Sequence, residues 1–196
     1  MKFSEYAYKR PVFEDVKEQQ LKLIAELGYA KSFEQAEKAF LDSEKLNRSV
    51  QTMGTLASIR FTLNTADEFY KAEQEFWDET SPLLMELGVK MSAALLASPF
   101  KADFEKKYGE MLIKNAELSV KSMTPELVPL MQEENRLSSE YSALTSSMSV
   151  TFQGEECNNY GLLKYMESKD ENYLDSWCAI LYRPARSGIV SDDIRE

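Results

Sequence analysis

The side chains that could do chemistry in this chain are carboxylates, lysines, tyrosines and two cysteines, because it has no histidine. That absence removes Ser-His-Asp and Cys-His nucleophile pairs. It also removes the His-Glu-x-x-His zinc motif and the Glu-x-x-His di-iron motif. Three constellations remain. Glu73, Glu75, Asp78 and Glu79 crowd one stretch, with Glu75 three and four residues from Asp78 and Glu79, a spacing that puts them on one helical face. Such a cluster could hold a cation, but without histidine it reads as a solvated, charged helix face. Glu133, Glu134 and Glu140 could supply paired carboxylates for acid–base work, yet no sequence feature marks a pocket that would split their pKa values. Cys157 and Cys178 lie in no metal or redox spacing and have no adjacent basic partner, so they read as thiols rather than nucleophiles. A Cys157–Cys178 disulfide stays open beside the reduced form. No set of residues is assigned as catalytic, cofactor-binding or metal-binding, and the glycines make no phosphate-cradling motif.

The elements that would position these residues are helices. The stretch from Gln51 to Glu79 reads as the end of one helix, a corner at Asn64-Thr65, and the start of the next. Thr65 is the expected N-cap, with Glu68 three residues on completing a capping box. Met53, Leu56, Ala57, Arg60 and Leu63 share a face before the corner. Phe69, Ala72 and Phe76 share one after it. Arg60 and Glu68 are expected to meet across the corner as a half-buried ion pair, or Arg60 lines a groove. Tyr6, Tyr8, Tyr70, Phe76 and Trp77 form no cofactor box and are expected to be core.

Before this stretch, Pro11 sits where a helix can begin and Gly28 where it can end. Ser32 with Gln35 makes a second capping box opening a helix of about 30 residues. Gly54 inside it should weaken it by about 1 kcal/mol relative to alanine. After the corner, Phe69, Ala72, Phe76, Leu83, Leu87, Met91 and Ala94 keep one register through Pro82. This predicts a kinked helix, although Ser81-Pro82 could also open a fresh one. Ser98-Pro99 and Thr124-Pro125 repeat a cap-and-proline device, with a weak point at Gly109. Leu127, Leu130, Met131, Leu137, Tyr141 and Leu144 continue the apolar pattern. From Ser147 the period changes to two, which predicts a β-hairpin turning at Gln153-Gly154-Glu155, then a short helix over Gly161–Glu167.

The expected fold is therefore mainly α: antiparallel long-helix hairpins or a bundle over 1–146, a small β-hairpin and short helix over 147–170, and a poorly defined tail over 171–196. Composition agrees, with 43% apolar residues and few Pro or Gly. The net charge is −10 with no basic stripe, which argues against nucleic acid and anionic membrane surfaces as partners. The start, Met1 to Tyr6, is no signal peptide, and the longest apolar run, Ala93–Ala97, is far short of the roughly 20 residues a spanning helix needs. A cytoplasmic protein is expected.

Several stretches resemble the amino-terminal region of the M3-family metallopeptidases of the oligoendopeptidase F type. They are Lys2-Phe3-Ser4-Glu5-Tyr6 with Arg10-Pro11, the Gln51–Glu79 stretch, and Pro125-Glu126 with Glu133-Glu134-Asn135-Arg136-Leu137-Ser138-Ser139-Glu140-Tyr141. Val150-Thr151-Phe152-Gln153-Gly154 and Met166-Glu167-Ser168-Lys169-Asp170 follow in the family's order, so the resemblance covers residues 1–170. It implies a helical wall of a substrate channel in a zinc peptidase that cleaves oligopeptides. The family's zinc ligands and general base map onto no residue here, so the chain itself is expected to lack the metal and to be inactive. After Asp170 the pattern departs from the family at Trp177 to Pro184, which fits a truncated gene, a frameshift or a shortened member. The alternative is a stand-alone helical module that binds a peptide or protein. Apolar surface that longer relatives cover should then be exposed and favour self-association.

Overall fold

The computed structural model describes residues 5–152 and 154–158. The predicted helix over 161–167, the tail from 171 and Cys178 lie outside the described residues. The chain is mainly helical: α1 Phe13–Gly28, α2 Phe33–Leu63, α3 Glu68–Ala97, α4 Lys101–Tyr108, α5 Glu110–Ser122 and α6 Leu127–Ser147. Two short strands, β1 Val150–Phe152 and β2 Glu155–Cys157, pair antiparallel with Val150 opposite Cys157. The chain divides into two compact units, Met1–Ser142 and Ala143–Glu196.

Local chemistry explains the starts of α2 and α3 and the break between α4 and α5. Ser32 accepts from the Gln35 amide at 3.4 Å, and Gln35 Oε1 accepts in return from the Lys31 amide at 3.0 Å, so the box forms one residue wider than expected. The corner is a correction. Asp67, not Thr65, caps α3, its carboxylate accepting from the Phe69 and Tyr70 amides at 3.0 and 3.1 Å. A carboxylate at a helix N-terminus gains from the helix dipole as well as from the hydrogen bonds. Asn64 instead closes the preceding turn by accepting from the Ala66 amide. At Gly109, φ is +89°, a value a side chain resists, and there the helical run breaks into α4 and α5.

Pro82 lies inside α3, which runs through it as one helix. Proline has no N–H for the Asp78 carbonyl and disturbs the next bond, to Glu79. Side chains of α6 take over both acceptors: Asn135 Nδ2 donates to Asp78 O at 3.0 Å and Gln132 Nε2 to Glu79 O at 2.8 Å. The Ser81 hydroxyl donates to the Trp77 carbonyl one turn back. The proline position in one helix is thus the docking point of another, more than 50 residues away in sequence. Asn135→Ala should cost about 1 kcal/mol by stranding the Asp78 carbonyl. Hydrogen exchange should show the loss as faster amide exchange in α6; unchanged protection there would refute it.

The core of the first unit is built from three adjoining clusters. Ala36, Leu95, Phe104, Ile113 and Ala116 join α2, α3, α4 and α5. Val16, Val50, Ala57 and Trp77 join α1, α2 and α3. Leu27, Ala39 and Met91 complete it. Gly54, expected as a weak point, has a packing reason. A Cβ there would stand 3.2 Å from the Trp77 ring, so glycine lets α2 and α3 approach over the indole. Near the corner the expected stripe falls off the core: Leu63 is 75% exposed and Phe69 56%.

Candidate functional site

The acidic cluster of α3 divides. Glu75 and Glu79 are exposed as expected, but Glu73 and Asp78 are buried, which corrects the solvated-face reading for those two. The segment ahead of α1, residues 5–12, lies across α3 as a strap and explains Glu73. Arg10 grips its carboxylate with two bonds, Nε to Oε2 at 2.8 Å and Nη2 to Oε1 at 2.7 Å, and its guanidinium stacks over Phe76 at 4.8 Å. The Tyr8 hydroxyl donates to the same carboxylate and accepts from Trp77 Nε1 at 3.1 Å. Burial pushes the Glu73 carboxyl up, but the hydrogen bonds from Arg10 and Tyr8 outweigh it and hold it below the usual carboxylate range. Burial and then the bond to Glu73 push the Tyr8 phenol up to about 12. This cluster has every polar partner supplied from within, so it fastens the strap and leaves no group poised to react.

Asp78, Glu133 and Glu140 also have partners. Burial raises the Asp78 carboxyl, against hydrogen bonds from Ser139 and from Gln74 Nε2 at 2.8 Å. Arg136 grips Glu133 with Nε at 2.8 Å and Nη2 at 2.6 Å, and donates through Nη1 to Glu140. Its hydrogen bonds lower the Glu133 pKa. Glu133 and Glu140 therefore form a charge triad with Arg136 rather than an acid–base pair. Arg60 does not go to Glu68: Nη1 donates to the Tyr70 hydroxyl at 2.9 Å and Nη2 to the Tyr6 carbonyl at 2.5 Å. The aromatic corner gave no sequence signal for this, because Tyr6 reaches Arg60 across 54 residues. With Tyr8, Leu63 and Phe69 these residues line a shallow recess of about 570 Å³.

The larger concavity is a groove of about 750 Å³ between α2, α3 and α5. Trp77, Met91, Leu95 and Leu112 supply apolar wall. Asn47, Gln51, Asn115 and Ser119 bring neutral hydrogen-bonding groups to it, and Glu44 adds one carboxylate. Such a lining suits van der Waals contact plus hydrogen bonds to peptide amides, the usual make-up of a binding cleft. It offers no nucleophile–base pair. Among the described residues no three of His, Cys, Asp and Glu stand where they could hold a metal ion. A zinc ion therefore has no fitting ligand set there, and no step of metal chemistry follows from these residues. Cys157 is buried in β2. Among the described residues no single helix is long and apolar enough to cross a membrane.

Comparison with known proteins places this geometry. The description "Peptidase M3 N-terminal domain" matches residues 3–123. Three solved structures superpose closely. A PZ peptidase A with an inhibitor has a TM-score of 0.90 at 33% identity, over 94% of this chain and 33% of that one. A protein assigned as oligoendopeptidase F from Bacillus anthracis str. Ames has 0.89 at 35%, over 93% and 34%. A second protein assigned as oligoendopeptidase F has 0.90 at 34%, over 94% and 33%. No curated protein matches. The chain spans about a third of the length of the solved chains it matches. With the family's N-terminal domain matched over most of the first unit, the chain belongs to the M3 peptidase family.

Proposed function

We propose that this chain is the helical wall of the substrate channel in an oligoendopeptidase F-like zinc peptidase that cleaves oligopeptides, and that residues 1–196 alone do not hydrolyse them. The observation that carries this reading is 33–35% identity along nearly the whole chain to PZ peptidase A and oligoendopeptidase F structures. The chemistry supports the second half: the sequence has no histidine to bind zinc, and among the described residues the two buried carboxylates, Glu73 and Asp78, are held by Arg, Tyr, Ser or Gln partners. We read it as acting in the cytoplasm with its thiols reduced. Purified 1–196 is expected to leave a quenched fluorescent oligopeptide uncut with zinc present, and to retain no stoichiometric zinc after gel filtration. Turnover together with bound zinc would overturn the reading.

The groove between α2, α3 and α5 favours a second reading, a stand-alone module that binds peptide without cutting it. Fluorescence anisotropy of a labelled peptide separates the two: tight, saturable binding without turnover selects the module.

A further inference from the structure

The groove between α2, α3 and α5 carries groups that the chain itself leaves unpartnered. Among its described lining residues Glu44 is the one that bears a charge. It is half-buried, and its carboxylate makes no ion pair or hydrogen bond with any described residue. A carboxylate drawn part-way out of water without a partner favours any cation that can reach it. The side-chain amides of Asn47, Gln51 and Asn115 on the same lining likewise bond to no described residue. Each offers both donors and an acceptor, which matches a peptide unit with one N–H and one carbonyl.

Gly88, on the α3 wall, is an independent mark. A glycine inside a helix weakens it. At Gly54 the Trp77 ring stands where a side chain would go, 3.2 Å from a Cβ. At Gly88 nothing lies within 4 Å of a Cβ. The missing side chain there widens the groove and lets no other part of the described chain approach.

We propose that this groove holds a basic peptide, with a lysine or arginine side chain set against Glu44 and the peptide backbone running along the unpaired amides and Gly88. The proposal rests on the peptide-binding reading of the groove and adds a preference in charge. The apolar wall of Trp77, Met91 and Leu95 takes the neighbouring side chains. An acidic peptide would meet both Glu44 and the net charge of −10. A second copy of this chain brings that same net charge to the groove, so it is the poorer occupant.

Calorimetric titration of the 1–196 chain tests this with three capped peptides: acetyl-Ala-Leu-Lys-Leu-Ala-amide and its counterparts with Gln or Glu in place of Lys. The Lys peptide should bind about tenfold more tightly than the Gln peptide, and the Glu peptide more weakly than either. Glu44→Gln should bring the Lys and Gln peptides level and leave Tm unchanged, since Glu44 has no partner to lose. Glu75→Gln, at an exposed carboxylate outside the groove, should keep the preference. Gly88→Leu should fill the wall and weaken binding of the Lys peptide at least tenfold, with the helical circular dichroism of the native chain. Equal binding of the Lys and Gln peptides, or a preference that survives Glu44→Gln, overturns the proposal and leaves the peptide-binding reading standing. Binding untouched by Gly88→Leu overturns it too. A folded chain that binds none of the peptides defeats the proposal and the peptide-binding reading together. A native dimer that Gly88→Leu dissociates would put a second copy in the groove and count against the peptide.

Discussion

Truncating Phe104 to alanine will lower the unfolding free energy by about 3–5 kcal/mol, the usual cost of emptying a buried phenylalanine site. Phe104 is 0% exposed and is the one buried residue of the eight-residue α4. Phe33 and Phe40 of α2 meet its ring edge-on at 5.1 and 5.5 Å, and Tyr108 stacks on it at 6.1 Å. Leu95, Ile113 and Ala116 complete the cluster from α3 and α5. A helix this short has almost no stability of its own, so one side chain docks it. The hole cannot collapse easily, because the surrounding side chains are fixed on α2, α3 and α5. Urea unfolding followed by circular dichroism measures the loss. A change under about 1 kcal/mol would show that the cluster is not the centre of the fold. Phe104→Leu keeps most of the volume and should cost distinctly less, so the comparison survives if the alanine variant fails to fold.

Arg10→Ala is the second large effect, a loss of about 3 kcal/mol. That is the low end for breaking a buried ion pair, because the Arg10 side chain itself is 45% exposed while that of Glu73 is 6%. The variant strands the Glu73 carboxylate beside Tyr8 and releases the strap from Phe76. Removing both charges with R10M/E73L should cost much less than Arg10→Ala alone, since apolar groups fill the site without a buried charge.

The pH dependence follows from the directions of the shifts. Glu73 titrates lower in the folded state than its ordinary 4.5. Its contribution is therefore complete above that value and is lost as pH falls through the lower folded one. Tyr8 is raised from 10.0 to about 12. Its contribution is complete below 10 and is lost as pH rises through about 12. The Tm difference between native chain and Arg10→Ala should thus stay flat between those limits and shrink in acid. A difference that persists unchanged well below the folded Glu73 value would sink the ion-pair account.

Much of the helical layout is readable residue by residue, because caps and breakers act locally. Ser32 with Gln35 and the proline inside α3 each state their effect within one turn of chain. The corner misleads only because Thr65 and Asp67 are both competent caps, and the carboxylate wins on charge. The candidate site is far less legible. Glu73 looks like one more surface carboxylate until Tyr8 and Arg10, more than 60 residues earlier, are laid across it. Arg60 seems to await Glu68 and finds Tyr70 and Tyr6. In α6 the apolar spacing is real, but spacing tells which residues share a face and not which way that face turns.

By itself the sequence determined that this protein is a mainly helical chain with M3 peptidase ancestry and no histidine to bind zinc. Periodicity, capping and residue type are properties of neighbours along the chain, so no folding is needed to read them. Only the tertiary structure decided that Glu73 is a buried anchor, that Gly54 seats an indole, and that side chains of α6 reach the Asp78 and Glu79 carbonyls beside Pro82. Those outcomes depend on which distant donor reaches an acceptor first and on which surfaces are left once it has. The sequence orders the groups along the chain; packing sets them in contact.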